Sequence, residues 1–225
     1  MTDTPHINPA YDKEMTKMAF LLHSMEEALR QQMQDSKEAF VNMDSQRAKA
    51  VRHKDTALNQ MKAQSVEQSI AILARYQPMA EDLRKVVSSF KTAIEYERIG
   101  DYLKNFASSV TNFAKHDESL MVFPLIVQMM DAVQQQFGDF LISCADDDIP
   151  AAIAVWQRDN DIDDLFKMLI HDALKNHKQG DGNAHSLVQA VLVANNLERI
   201  GDRVKNLVEI FYYQKTGKTL ESEYE

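Results

Sequence analysis

Two pairs of carboxylates, each spaced four residues apart, are the side chains of this sequence best suited to chemistry. Glu97 and Asp101 belong to a segment Glu-Arg-Ile-Gly-Asp, and the same five residues recur from Glu198 to Asp202, 101 residues later. Residues four apart share one face of an α-helix, so each pair places two negative charges side by side. Because like charges at this spacing destabilise a helix, a bound cation is one explanation for the pattern.

The repeated segment also indicates how the chain is organised. Its match continues through Lys104-Asn105 and Lys205-Asn206, so that seven of nine positions agree. Self-similarity at this spacing indicates a duplicated unit of about half the chain, not a short solenoid repeat. We therefore predict a first repeat over residues 1–116, a second over 117–216, and an acidic C-terminal tail over 217–225 that frays from Thr219 onward.

Composition and turn-forming residues predict an all-α protein. Only 6 glycines and 5 prolines occur in 225 residues, whereas residues that favour helices are abundant. Turn signals separate six long stretches, which gives three helices per repeat. Helices of this length usually pack as bundles, so we predict two pseudo-symmetric three-helix bundles. The predicted helices span residues 10–42, 45–75, 79–115, 119–144, 149–177 and 183–214.

The third helix of each repeat has an apolar stripe of heptad spacing, which predicts a buried seam. The motif glycine lies inside this helix, where glycine costs about 1 kcal/mol relative to alanine. We expect Gly100 and Gly201 to lie where another element approaches the backbone closely. The predicted seam residues are Tyr96, Ile99, Leu103, Phe106, Val110 and Phe113 in the first repeat, and Val193, Leu197, Ile200, Val204, Leu207 and Phe211 in the second.

The second helix of each repeat adds further oxygen-bearing side chains. Asp55 and Asn59 in the first repeat correspond to Asp159 and Asp163 in the second, again four residues apart. Counted from the hairpin loops, these positions are level with the carboxylates of the third helix. Oxygen ligands suit hard or borderline cations, and Asn59 in place of an acid predicts a weaker first site. The predicted clusters are Asp55, Glu97 and Asp101, and Asp159, Asp163, Glu198 and Asp202.

Other features of the sequence restrict its function. The net charge of −9 argues against wrapping nucleic acid, and no stretch approaches the ~18 apolar residues of a membrane span, so any membrane contact would be through a partner. The single Cys144 lies in an apolar run, which favours a core position and a reducing cytoplasm. Glu-x-x-His, the ligand motif of di-iron oxidases built on helical bundles, does not occur in the sequence.

The duplicated motif resembles that of the PhoU family of phosphate-transport regulators. The segment Gln-Pro-x-Ala-x-Asp-Leu-Arg at residues 77–84 and the Phe-Tyr-Tyr at residues 211–213 add to this likeness, which covers nearly the whole chain. The resemblance implies metal ions, iron, zinc or manganese among them, at the two Glu-x-x-x-Asp pairs. Carried over residue by residue, those pairs are Glu97 with Asp101 and Glu198 with Asp202.

The same resemblance implies a role without catalysis. It suggests a cytoplasmic adaptor that couples the ATPase subunit of a phosphate ABC transporter to a phosphate-sensing histidine kinase. Such an adaptor restrains uptake and the phosphate-starvation response when phosphate is plentiful. Self-association, commonly as a homodimer, is also expected from the resemblance.

Two other functions stay open on the residues alone. One is a carboxylate-bridged metalloenzyme, a hydrolase or oxidase, although the sequence offers no general base at a suitable spacing. The other is a metal-independent helical scaffold whose acids are simply solvated. Arg98 and Arg199 are either exposed partners of the nearby acids or residues that contact another protein.

Overall fold

The computed structural model describes residues 9–116, 123–178 and 184–220, without the side chains of residues 113–116, 159–160, 176–178 and 184–186. The regular structure of these described residues is entirely α-helical, as predicted. The helices are α1 (Pro9–Val41), α2 (Ser45–Tyr76), α3 (Ala80–His116), α4 (Phe123–Ala145), α5 (Ile149–Gln157), α6 (Asp159–Lys178) and α7 (Ala184–Thr216).

Capping residues define the helix ends where the sequence predicted turns. The Asp44 carboxylate accepts hydrogen bonds from two backbone N–H groups in the first turn of α2, at 2.9 and 3.1 Å. The Asp148 carboxylate accepts one from the Ala151 N–H at 2.9 Å, at the start of α5. Gln77 ends α2 in the left-handed conformation, with φ of 46°. Each cap satisfies backbone groups that a helix leaves unpaired at its ends.

The fifth predicted helix is interrupted, so the prediction of one continuous helix over residues 149–177 is wrong. α5 ends at Gln157 and α6 begins at Asp159. Between them, the Arg158 N–H donates to the Val155 carbonyl at 3.3 Å, which shortens the usual helical bond by one residue. The Arg158 guanidinium also pairs with Asp139 on α4 at 2.7 Å. Residues 155–161 include neither Pro nor Gly, so no sequence signal marked this break.

The third helices of the two halves, α3 and α7, pack along each other and join the bundles. Each predicted seam residue with a described side chain is at most 7% exposed, which confirms both heptad stripes; Phe113 lies outside the described side chains. One apolar cluster runs from Met25 on α1 to Val133 on α4 and Ile162 on α6. The two three-helix bundles therefore share a continuous core.

A buried polar cluster centred on Glu95 lies at the junction of α3 and α7. Glu95 is only 8% exposed. One of its oxygens accepts hydrogen bonds from Arg203 and Asn206 on α7, both at 3.3 Å, and the other accepts one from Arg98 at 3.2 Å. Because a buried carboxylate needs such partners, these contacts fix how the two halves face each other.

The two motif glycines lie in buried positions, as their predicted role requires. A Cβ added at Gly100 would come within 2.5 Å of Leu58 Cδ1 on α2. This confirms the predicted close approach in the first half. The absence of a side chain at Gly100 allows α3 to lie close to α2, the helix that carries Asp55.

The C-terminal segment after α7 returns to the protein. Gly217 adopts a φ of +76°, and its N–H donates to the Tyr213 carbonyl at 2.9 Å, which ends the helix. Leu220 is 1% exposed and belongs to the apolar core. The predicted fraying is therefore wrong at Leu220, whereas residues 221–225 lie outside the described part of the chain. Among the described helices, none is both long and apolar enough to cross a lipid bilayer.

Candidate functional site

The acid cluster of the first half lies between α2 and α3. Asp55 is 3% exposed and points from α2 toward α3. The Lys104 ammonium on α3 lies 2.8 Å from Asp55 Oδ2 and 3.4 Å from Asp101 Oδ1. Asn59 adds a hydrogen bond from its amide nitrogen to Asp55 Oδ2 at 3.1 Å. The structure therefore brings Asp55 and Asp101 together as predicted, with a lysine between them.

A second lysine covers the remaining carboxylate of this cluster. Lys62 on α2 donates to Glu97 Oε1 at 2.8 Å, and the Glu97 side chain is 14% exposed. Glu97 and Asp101 thus face α2 and are partly covered by it. Three carboxylates and two ammonium groups make up this first-half set.

The pKa shifts within the cluster agree with its geometry. Burial, together with the nearby Asp55 carboxylate, raises the pKa of Asp101 above its usual value, while Lys104 opposes this shift. The hydrogen bond to Asp55 raises the pKa of Lys104. A lysine pKa that starts above 10 and rises further keeps Lys104 charged at neutral pH.

The corresponding acids of the second half lie on α6 and α7. The side chains of Glu198 and Asp202 are 23% and 29% exposed. The Arg199 guanidinium, which is about half exposed, lies 3.6 Å from Glu198 and 3.3 Å from Asp202. Asp163 on α6 is partly buried, and the side chain of Asp159 lies outside the described residues. The full predicted set of four carboxylates is therefore only partly defined.

The residues surrounding the second set differ from those of the first. Aligning Asp159 with Asp55 and Asp163 with Asn59 places Phe166 where the first half has Lys62. Lys205 corresponds to Lys104 in the repeated motif, and its ammonium lies 4.9 Å from the centre of the Trp156 ring. Trp156 itself donates from Nε1 to Glu209 at 3.0 Å.

The fit of a metal ion differs between the two sets. Within the described part of the chain, no three His, Cys, Asp or Glu side chains are arranged to hold a metal ion. In the first half, lysines contact all three carboxylates, so this set does not fit a divalent cation. In the second half, the acid with an undescribed side chain, Asp159, would complete an all-oxygen set of the kind that hard cations bind.

Sequence reasoning missed the two lysines and the Glu95 cluster. Lys104 was visible as part of the repeated motif, three residues after Asp101, a spacing that forms ion pairs on helices. Lys62 carried no such signal, because its partner Glu97 lies on another helix, and the Glu95 cluster was missed because Arg203 and Asn206 come from α7. Both arginines pair with nearby acids: Arg98 with Glu95, and Arg199 with the second-half carboxylates.

The fold and the paired carboxylates define a duplicated helical-bundle protein with one acid pair on each third helix. A family model described as the PhoU domain matches both halves, over residues 22–110 and 126–211. This chain belongs to the PhoU family. Each matched segment contains one copy of the Glu-Arg-Ile-Gly-Asp motif.

Relatives match along nearly their whole length. The phosphate-specific transport system accessory protein PhoU of Escherichia coli is 31% identical over 214 residues, covering 93% of this chain and 87% of that protein. The homologue from Pseudomonas aeruginosa is 31% identical over 215 residues, covering 95% and 88%. The homologue from Caulobacter vibrioides is 29% identical over 221 residues, covering 98% and 96%.

Solved structures show the same architecture. The crystal structure of PhoU from Pseudomonas aeruginosa superposes with a TM-score of 0.88 at 28% identity, covering 92% of this chain and 100% of that one. The phosphate transport system regulatory protein PhoU from Streptococcus pneumoniae has a TM-score of 0.86 at 22% identity, covering 93% and 99%. The second comparison shows the fold alone.

Proposed function

We propose that this protein regulates phosphate transport as an accessory protein of a phosphate-specific transport system. The observation that carries the proposal is the match of the PhoU family model to both halves of the chain. Relatives about 30% identical along most of their length have names that describe this role. The protein would act by binding other proteins and not by catalysis.

The proposed partners are the ATPase subunit of the phosphate ABC transporter and a phosphate-sensing histidine kinase. A cytoplasmic location follows, since both contacts would lie on the cytoplasmic side of the membrane. The long helices present extended faces, and the Glu95 cluster holds the two bundles in one orientation. Such a fixed arrangement suits an adaptor, because little ordering is needed on binding. We also propose that the protein forms a homodimer.

The regulatory role can be tested in cells that lack the gene. We expect a reporter of the phosphate-starvation response to be active in high phosphate without the protein, and silent once the wild-type chain is restored. A reporter that stays silent in the deletion strain would contradict the proposal. A variant with Asn196→Ala supplies the control, because this side chain donates to the Leu192 carbonyl on its own helix and the variant should silence the reporter as the wild-type chain does.

We further propose that the second-half acids bind a divalent metal ion, iron, manganese or zinc, with Glu198 and Asp202 as its ligands. Asp163 lies on the adjacent helix, and Asp159 is its neighbour one turn earlier. The all-oxygen donor set supports this proposal, and so does the higher proportion of acids in the second half. A bound cation would neutralise these carboxylates and hold α6 against α7.

Elemental mass spectrometry on untagged protein tests this metal site. We expect a stoichiometric metal ion in the wild type and its loss from the Glu198→Gln, Asp202→Asn variant, with helical content unchanged by circular dichroism. Equal metal content in the two proteins would overturn the assignment. Pull-down of the transporter ATPase with and without chelator then separates a metal-ordered adaptor from a metal-independent scaffold, which would bind equally in both.

A further inference from the structure

We infer that the Lys104 ammonium is the resident cation of the first-half acid set, so that this half needs no divalent metal. The two halves carry the same Glu-x-x-x-Asp motif, but their neighbours give them different charge. The first set has three carboxylates and two lysines. At the corresponding second-half positions, Phe166 replaces Lys62 and Asp163 replaces Asn59, while Lys205 corresponds to Lys104.

The position of Lys104 is that of a cation shared by two helices. Its Nζ reaches Asp55 on α2 at 2.8 Å and Asp101 on its own helix at 3.4 Å. The close approach of α3 to α2 at Gly100 is what brings the ammonium within reach of the buried Asp55. The ammonium therefore joins α2 to α3, as a bridging metal ion would.

The other polar groups complete the neutralisation. Asn59 donates its amide hydrogen to Asp55 where an acid would add a further charge, and Lys62 pairs with Glu97 at 2.8 Å. Asp55 Oδ1 is buried and accepts no hydrogen bond from the described residues. One acceptor of this kind does not make a divalent site, because a divalent cation needs several oxygen ligands.

The cation described beside the second acid pair is an arginine. Arg199 lies along the outside of Glu198 and Asp202, and its side chain is 47% exposed. Lys205 is the counterpart of Lys104, and its Nζ lies 4.9 Å from the centre of the Trp156 ring. An exposed guanidinium is held weakly and can be displaced, so Arg199 leaves room for the metal ion proposed above.

The consequence is a division of roles between the halves. The first half is ordered by its own lysines under all metal conditions, whereas any response to metal belongs to the second half. The statement about metal response rests on the proposed second-half site. The statement about Lys104 does not, because it concerns the first-half residues alone.

The test uses the full-length chain with Glu198→Gln and Asp202→Asn as the parent, which removes the second-half acid pair and leaves the first-half set intact. Manganese and zinc binding are measured by isothermal titration calorimetry and by elemental mass spectrometry after dialysis. We expect the parent to hold less than about one tenth of an equivalent of metal. Adding Lys104→Met should create one site per chain, and adding Asp55→Asn to that variant should abolish it.

Two results would overturn the inference. One is a parent that holds a stoichiometric metal ion lost on Asp55→Asn, since the first half would then be a metal site despite its lysine. The other is a folded Lys104→Met variant that gains no metal, since the lysine would then not occupy the place of a cation. Metal content in the otherwise wild-type chain reports separately on the second-half proposal, so the two can fail independently.

A folding control keeps the experiment decisive. Lys104→Met leaves Asp55 without its ion-pair partner, and the variant should melt at a lower temperature in chelator. Lys104→Met combined with Asp55→Asn removes both charges and should regain most of that loss. Should the single variant not fold, refolding it with manganese is expected to restore its helical signal, and a failure to do so counts against the inference.

Discussion

The two acid clusters lie at equivalent places in the duplicated fold, yet the side chains around them differ. In the first half, Lys104 and Lys62 lie between α2 and α3 and contact all three carboxylates. In the second, the position of Lys62 is taken by Phe166, which packs against the apolar core. The comparison shows that the repeated Glu-x-x-x-Asp motif fixes where two carboxylates of each cluster lie, while residues outside these pairs decide what neutralises them.

The halves also differ in how their second helix is built. α2 is continuous over 32 residues, whereas its counterpart is divided into α5 and α6 at Arg158. The break falls directly before Asp159, at the start of the segment that carries the second acid set. A helix that begins there places the acids of α6 in its first turns, where negative charge is favourable.

The largest expected effect is on the reactivity of the Cys144 thiol. Because Cys144 lies on α4 and packs against the core, its labelling shows whether the second half unfolds independently of the first. Burial, with a smaller contribution from Glu26, raises the pKa of this thiol to about 12. At pH 8 the thiolate fraction should be about a thousandfold below that of an ordinary cysteine. We expect alkylation of the native protein to be slower by at least that factor, as measured by mass spectrometry over time.

Urea provides the control for this measurement. Because the two halves share a core, Cys144 labelling should rise with urea in parallel with the loss of helical signal. Labelling that becomes fast while the helical signal is still native would show that the second half opens by itself.

Breaking the junction between the halves should have the next largest effect. Glu95→Ala leaves the partly buried Arg203 without its carboxylate partner, and we expect a loss of about 2 to 4 kcal/mol in the free energy of unfolding. The matched control is Asn196→Ala, at the equivalent position of the second half, where the side chain donates to the Leu192 carbonyl on its own helix. That variant should cost less than about 1 kcal/mol. Equal losses in urea unfolding would contradict the role assigned to Glu95.

Two glycine substitutions test the close contact of α3 with α2. Gly100→Ala should lower stability by about 1 to 2 kcal/mol, because overpacking against Leu58 outweighs the gain in helix propensity. Gly138→Ala on α4 is the control, since an added Cβ there meets nothing within 4 Å. It should raise stability by about 0.5 to 1 kcal/mol. Thermal unfolding followed by circular dichroism gives both values, and a stabilising Gly100→Ala would show that Leu58 readjusts freely.

Substitution of the motif arginines should have the smallest effects on stability. Arg98 and Arg199 occupy the same position of the motif in the two halves, so the two variants can be compared directly. Arg199→Ala should change the free energy of unfolding by less than about 0.5 kcal/mol, because its side chain is about half exposed. Arg98→Ala should cost somewhat more, up to about 1 kcal/mol, because its partner Glu95 is buried. Urea unfolding at low and high salt measures both. A larger loss for Arg199→Ala would indicate a tighter second-half cluster than its exposure allows.

Local signals in the sequence predicted most of the fold. The heptad stripes on α3 and α7 identified the buried seam, and Asp44, Gln77 and Asp148 lie at helix ends where turns were expected. The break at Arg158 was missed because it arises from a hydrogen-bond shift and a contact with Asp139 on another helix. The burial of Leu220 was missed because a short polar tail gives no periodic pattern from which a core contact could be predicted.

The sequence by itself determined the duplication, the all-α architecture and the positions of the paired carboxylates, because helical periodicity and repeated motifs are local properties of the chain. It also placed Asp55 level with Glu97 and Asp101, through the lengths of the hairpin arms. Only the tertiary structure decided that Lys104 reaches Asp55, that Lys62 reaches Glu97 and that Glu95 joins α3 to α7. Such contacts connect residues from 35 to 111 positions apart, and their distances depend on how closely the helices pack.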